Sequence, residues 1–194
     1  MVVVGLIVLV IGISFGSASQ VGFFKHQSAS NRIAASLRFA YAKSVSEGLY
    51  VRMRINLNDH TYWLEGTGNP VLLDQNRGDI DLDPQDSDES REARRKQAQS
   101  GFVELTKPVK LDEGIGFDGV RLGGFEDEFR DGKVDIHFFP NGFAEPAMIF
   151  TTDGDEEYIT LTLNPMTGVV RSDLERLDPD RDFGRPDDFE EEGR

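Results

Sequence analysis

The sequence contains no cysteine, which excludes disulfide cross-links, thiolate nucleophiles and cysteine zinc sites together. Compartment stays open, because an exported protein can do without disulfides. Histidine is almost as scarce: His26, His60 and His137 are the whole set, and no two share the close spacing of a metal-binding helix. A nucleophile elbow, a phosphate-cradling glycine loop and a dinucleotide fingerprint are all lacking, and Gly114, Gly116, Gly119, Gly123 and Gly124 read as turn residues. No catalytic residues and no small-molecule substrate are expected, so the chain reads as a non-enzyme. Negative charge is missing from the first 46 positions, where Lys25, Arg32, Arg38 and Lys43 are the only charged side chains. All the acidity of a 194-residue chain of net charge −14 therefore lies beyond Ser46. Such a head repels phosphate backbones, and nucleic acid is not an expected partner.

What the sequence does have is an abrupt apolar start, "MVVVGLIVLVIGISFGSASQ". A secretory signal would carry basic residues ahead of the apolar stretch, and none is there. A buried core helix would be apolar on one stripe, whereas Val2–Val4 and Leu6–Ile11 are apolar all round. Membrane insertion of residues 1–16 is the expectation. About sixteen residues at ~1.5 Å each reach roughly 24 Å, short of a ~30 Å hydrocarbon core, so the segment reads as a span whose beginning lies upstream of Met1.

Residues 17–48 change to an amphipathic pattern. In "SASNRIAASLRFAYAKSVSEGLY" the residues Ile33, Leu37, Tyr41 and Val45 recur every fourth position and are expected to form the face that packs the helix on the head. Ala34, Ala35, Ala40 and Ala42 favour helix, and Gly48 is placed to cap its C-terminus. Lys25, Arg32 and Lys43 lie close together on the opposite side, with Arg38 apart from them.

Beyond Gly48 the period becomes two. In "YVRMRINLNDHTYWLEG", Val51, Met53, Ile55 and Leu57 alternate with Arg52, Arg54 and Asn56 before the chain turns back, which predicts a hairpin with one apolar face and Trp63 in its core or at its edge. "KPVKLDEGIGFDGVRLGG", "KVDIHFFPNGFAEPAMIF" and "EEYITLTLNPMTGVVR" read as further successive antiparallel hairpins, the last two turning at Asn141-Gly142 and "NPMTG". The fold class is α+β: a long N-terminal helix, apolar then amphipathic, against a mostly antiparallel β-sheet head spanning 49–171. An acidic insertion, 74–100, interrupts the head, with a short charged helix expected near Ser90–Gln99. Its alternating Asp79, Asp81 and Asp83 are candidate calcium ligands, although Pro84 and Ser90 stand where an EF-hand loop needs glycine and glutamate. Residues 172–194, with ten acidic residues against four arginines, read as a disordered tail.

Two stretches carry a resemblance. "NRIAASLRFAYAKSVSEGLYVRMRINLNDHTYWLE" is similar to the helix-end and first-hairpin signature of the GspH/FimT group of type IV pilin-like proteins. "FFPNGFAEPAMIFTTDGDEEYITLTLNPMTGVVR" resembles that group's C-terminal signature through Phe139, Pro140, Gly142, Ile159, Thr167, Gly168 and Arg171. The likeness covers roughly 1–65 and 133–171, and the prepilin leader, processing glycine, methylated first residue and assembly glutamate of the group are not in this sequence. The resemblance implies a structural minor pseudopilin of a type II secretion system: anchored in the bacterial inner membrane by a single pass, with its head in the periplasm and other pseudopilins and secretion-system components as partners. On that reading Lys25, Arg32 and Lys43 face the acidic heads of neighbouring subunits. The alternatives are a minor pilin of a type IV pilus or DNA-uptake machine, and a membrane-anchored periplasmic module that binds through calcium at the acidic loop.

Overall fold

A computed structural model describes residues 2–71, 101–154 and 157–182, with the side chains of the first helix described from Gly22 onward. Helix α1, Val2–Glu47, has no proline to interrupt it. It ends where expected: Gly48 takes the left-handed conformation at φ 67°, and the Leu49 amide donates back to the Ser44 carbonyl at 3.2 Å. That pair of features is a Schellman cap, and it turns the chain directly into the first strand.

Among the described residues nine strands follow: β1 Tyr50–Asn56, β2 Thr61–Thr67, β3 Val103–Glu104, β4 Val109–Lys110, β5 Gly116–Leu122, β6 Lys133–Phe138, β7 Ala147–Thr152, β8 Tyr158–Leu163 and β9 Val170–Asp173. A short helix, α2 Pro179–Asp182, comes last. The first sheet runs β3-β2-β1-β6, with β4 also on β2, and the second runs β5-β7-β8-β9. All their pairings are antiparallel. The α+β class with a helix against antiparallel sheets is as the periodicity implies.

Period-two alternation sorts the side chains between faces. Val51, Met53, Ile55, Leu64, Val134, Ile136 and Phe138 of the first sheet are buried in the same cluster as Val120, Leu122, Ile149, Leu161 and Leu163 of the second. Ala29, Ile33, Ala34, Leu37 and Ala40 of α1 complete that cluster, so the helix is the element around which both sheets share one core. The other face of the first sheet is charged. Arg54 makes a two-point contact with Asp135, both bonds 2.7 Å, and Arg52 reaches Glu65 at 2.7 Å and Asp135 at 3.3 Å. Phe102 lies over the Arg52 guanidinium at 3.8 Å. Burial works against the ionised Asp135 carboxyl, yet its bonds to Arg54 and the nearby Arg52 hold it below the usual carboxylate range.

Three expectations need correction. The strands β6 and β7 are not a hairpin, since they belong to different sheets. The Asn141-Gly142 turn forms, but pairing back onto β6 stops after the Phe138–Ala144 bridge and the bond from the Glu145 amide to the His137 carbonyl. Pro146 has no amide to continue the ladder, and its carbonyl accepts instead from Gly123, just past the end of β5 in the second sheet. Val45 does not belong to the packing face: it is 46% exposed, and Ser44 is buried in its place. A spacing of four residues overshoots a 3.6-residue turn by about 40° each time, so by Val45 the drift from Ile33 is about 120°. Finally, residues 172–182 are not a disordered tail, because β9 and α2 are formed and Leu177 packs on Met148 and Phe150. Residues 183–194 lie outside the described residues.

Candidate functional site

The residues singled out in the sequence converge on the seam between α1 and the head. At the C-terminal end of the seam Tyr41 projects between two turns. Its hydroxyl stands 2.9 Å from the Gly142 carbonyl and 2.9 Å from the Met166 carbonyl, so one phenol proton is shared between the β6–β7 connection and the β8–β9 turn. Gly168 closes the β8–β9 turn at φ 67° with its Cα against the Tyr41 ring, where an added Cβ would lie 2.2 Å from Cγ. Neither the conformation nor the space admits a side chain. Adjoining bonds tie the same turns together: Ala144 N donates to the Pro165 carbonyl at 2.7 Å, and Arg38 donates to the Val170 carbonyl at 2.8 Å. Ser44 Oγ reaches the Phe139 carbonyl at 3.4 Å, and the Phe139 ring meets Tyr50 edge-on.

The signature glycines Gly142 and Gly168 therefore meet at one helical tyrosine, although their two turns are more than twenty residues apart in sequence, while Phe139 and Thr167 belong to the same two turns. Thr167 Oγ1 accepts from the Val169 amide, which shapes the second turn, and Pro140 begins the first. Arg171 leaves the cluster along β9 and pairs with Asp173 at 2.9 Å.

Farther toward the N-terminus the seam turns polar. His26 is fully buried, with Nε2 2.9 Å from Thr151 Oγ1, and Ser30 Oγ meets the same hydroxyl at 3.0 Å. Thr151 Oγ1 also reaches the Ile159 carbonyl at 3.2 Å, so one hydroxyl joins His26, Ser30 and the β8 backbone. The other ring nitrogen of His26, Nδ1, is buried and has no hydrogen-bond partner among the described residues. Desolvation lowers the His26 pKa below 6.5, against the opposing pull of Asp153 and Glu157. Sequence reading missed His26 because a histidine between Lys25 and Gln27 carries no periodic signal; its offsets of three and four to Ala29 and Ser30 become meaningful only once those residues are seen to be buried.

The three stem cations differ in their surroundings. Arg32 is ion-paired with Asp112, from the loop before β5, and Lys43 pairs with Glu47 at 2.7 Å while lying over the Phe39 ring. Lys25 is exposed and makes no ion pair among the described residues. The calcium candidates Asp79, Asp81 and Asp83, with the rest of the acidic insertion, lie outside the described residues. Among the described residues no group of three His, Asp or Glu side chains is arranged to hold a metal. No helix among them is long and apolar enough to cross a membrane, and the apolar residues 1–16 lie outside those whose side chains are described.

No protein-family model matches the chain, and no curated protein matches its sequence. Among the solved structures similar to it are two of the minor pseudopilin EpsH from the type II secretion system of Vibrio cholerae. The first is 12% identical, with a TM-score of 0.49, covering 77% of this chain and 97% of its own. The second is 15% identical, with a TM-score of 0.49, covering 81% of this chain and 99% of its own.

Proposed function

We propose that the chain is a structural minor pseudopilin of a type II secretion system. Its apolar N-terminal segment sits in the bacterial inner membrane and packs with other stems in the pseudopilus, and its head lies in the periplasm among the heads of other pseudopilins. The observation that supports this best is the seam at Tyr41. Residues that carry the GspH/FimT resemblance come from the helix end, the Phe139–Gly142 turn and the Thr167–Gly168 turn, and they meet as one device that fixes the head to its stem. A subunit that transmits force along a filament needs such a joint, because the stem is gripped by neighbours while the head bears the load. Lys25, exposed just beyond the apolar segment, is the stem cation left to meet an acidic neighbour.

Deletion of the gene in its host tests the reading. The expected result is that exported proteins accumulate in the periplasm while twitching and DNA uptake are unchanged. Normal secretion with defective pili or transformation would replace this reading with that of a type IV minor pilin.

A further inference from the structure

Ladder pairing of the second sheet ends at Asp173, yet the chain does not leave the head there. Residues 174–178 cross the outer face of that sheet, and they are held by anchors instead of strand pairing. The first anchor is Arg176. Its Nη2 donates to Glu128, standing 2.8 Å from each carboxylate oxygen, and its Nε donates to Asp118 at 3.0 Å. It lies over the Phe150 ring at 4.3 Å and within 5.9 Å of the Tyr158 ring. The second is Leu177, buried with Met148 and Phe150. Between them, Thr160 Oγ1 donates to the Glu175 carbonyl at 2.6 Å and accepts from the Leu177 amide at 3.1 Å.

The face beneath is shaped for this occupant. A β-bulge between Phe117 and Gly119 breaks the alternation of β5 at Asp118, so an acidic residue stands beside the groove next to buried Phe117 and Val120. Gly119 leaves the space that Glu128 fills, since a Cβ there would stand 2.1 Å from Glu128 Oε1. Two carboxylates and two aromatic faces then enclose a planar cation, which is the fork geometry that suits arginine and not lysine. An apolar slot and one hydroxyl that reads main-chain groups on both sides complete what a peptide-recognition surface uses.

We propose that the outer face of the second sheet is a peptide-docking groove that reads an arginine followed by an aliphatic residue. Residues 174–178 occupy it in cis, and a partner polypeptide presenting the same pair in extended form displaces them. The partner's chemistry is set by what is seated there now: a guanidinium for Asp118 and Glu128, an aliphatic side chain for Met148 and Phe150, and a free amide and carbonyl for Thr160. The inference stands apart from the assembly reading, since it concerns the face opposite the one that meets α1.

A fluorescently labelled synthetic peptide of residues 172–182, titrated against the full chain by anisotropy, tests it. Wild-type protein shields the groove with its own segment at high effective concentration, so it binds at least tenfold more weakly than the Arg176→Ala/Leu177→Ala chain. Replacing the first of the peptide's two arginines, the one at position 176, by alanine, or adding Glu128→Gln to the double variant, lowers that binding at least tenfold. A double variant that still melts cooperatively but shows no saturable binding, or binding indifferent to the peptide's arginine at 176, overturns the proposal. Should the double variant not fold, hydrogen exchange on the wild-type chain decides. The Leu177 amide must exchange at least tenfold faster than the amides of β8, and equal protection would make the segment an inseparable part of the head and end the proposal.

Discussion

Gly168→Ala is expected to loosen the joint between helix and head, and its cost can be worked from two features of the site. The backbone at 168 is left-handed, which costs a non-glycine residue about 1 kcal/mol. The new methyl would overlap Cγ, Cδ1 and Cδ2 of Tyr41 at 2.2, 2.4 and 2.7 Å, and relieving such overpacking costs about 1–3 kcal/mol. If the ring swings out, the phenol loses its carbonyls on Gly142 and Met166, at about 1 kcal/mol. The sum is about 2–5 kcal/mol, a large part of the ~5–15 kcal/mol that holds a typical domain folded. Urea unfolding followed by the fluorescence of Trp63, the single tryptophan, measures it. The decisive arm is a double-mutant cycle with Tyr41→Ala. In that background the ring is gone and Gly168→Ala should cost only the backbone strain, giving a coupling of about 1–4 kcal/mol. Additive costs would refute the claim that Gly168 is required by Tyr41.

The remaining predictions follow from burial and charge. Leu37→Ala should cost about 2–5 kcal/mol, whereas Val45→Ala should stay within about 0.5 kcal/mol, as compared by urea titration. His26 has a folded pKa below 6.5, so between those two values the unfolded state binds more protons and stability rises with pH. The melting temperature should therefore fall as pH drops from 7 toward 5, and His26→Gln should flatten that slope; an unchanged slope would count against the buried Nδ1 as its source. Asp135→Asn should cost about 3 kcal/mol by leaving Arg52 and Arg54 short of a partner. Because the Asp135 pKa is depressed below 3.8, its contribution is complete above that value and is lost as pH falls through the folded pKa, and acid titration of the variant beside the wild type shows whether it is.

Local signals were legible where one element decides its own conformation. Gly48 stops the helix through a cap that spans a few residues, and the β1–β2 hairpin is written in the alternation of Val51, Met53 and Ile55 with Arg52 and Arg54. The partition into two sheets was not legible, because the turn at Asn141-Gly142 gives the same local signal whether or not the next strand returns to the one before it. What separates them is Pro146, four residues later. The segment from Leu174 to Asp182 was misread for a related reason: its composition is that of a chain unable to form its own core, and the surface that orders it, from Asp118 and Glu128 to Met148, Phe150 and Thr160, comes from distant parts of the sequence. Tyr41 was identified as a packing residue, but its partners were not, since a phenol bridging two carbonyls from distant turns leaves no trace in spacing.

Incorporation into a secretion pseudopilus is measured by fractionating pseudopili sheared from cells that overproduce them. The chain should co-sediment with the filaments in amounts well below the major subunit, and Gly168→Ala should reduce its share. Retention of the chain in the membrane fraction while filaments are recovered, or its recovery only with type IV pili, would rule out a place in the pseudopilus.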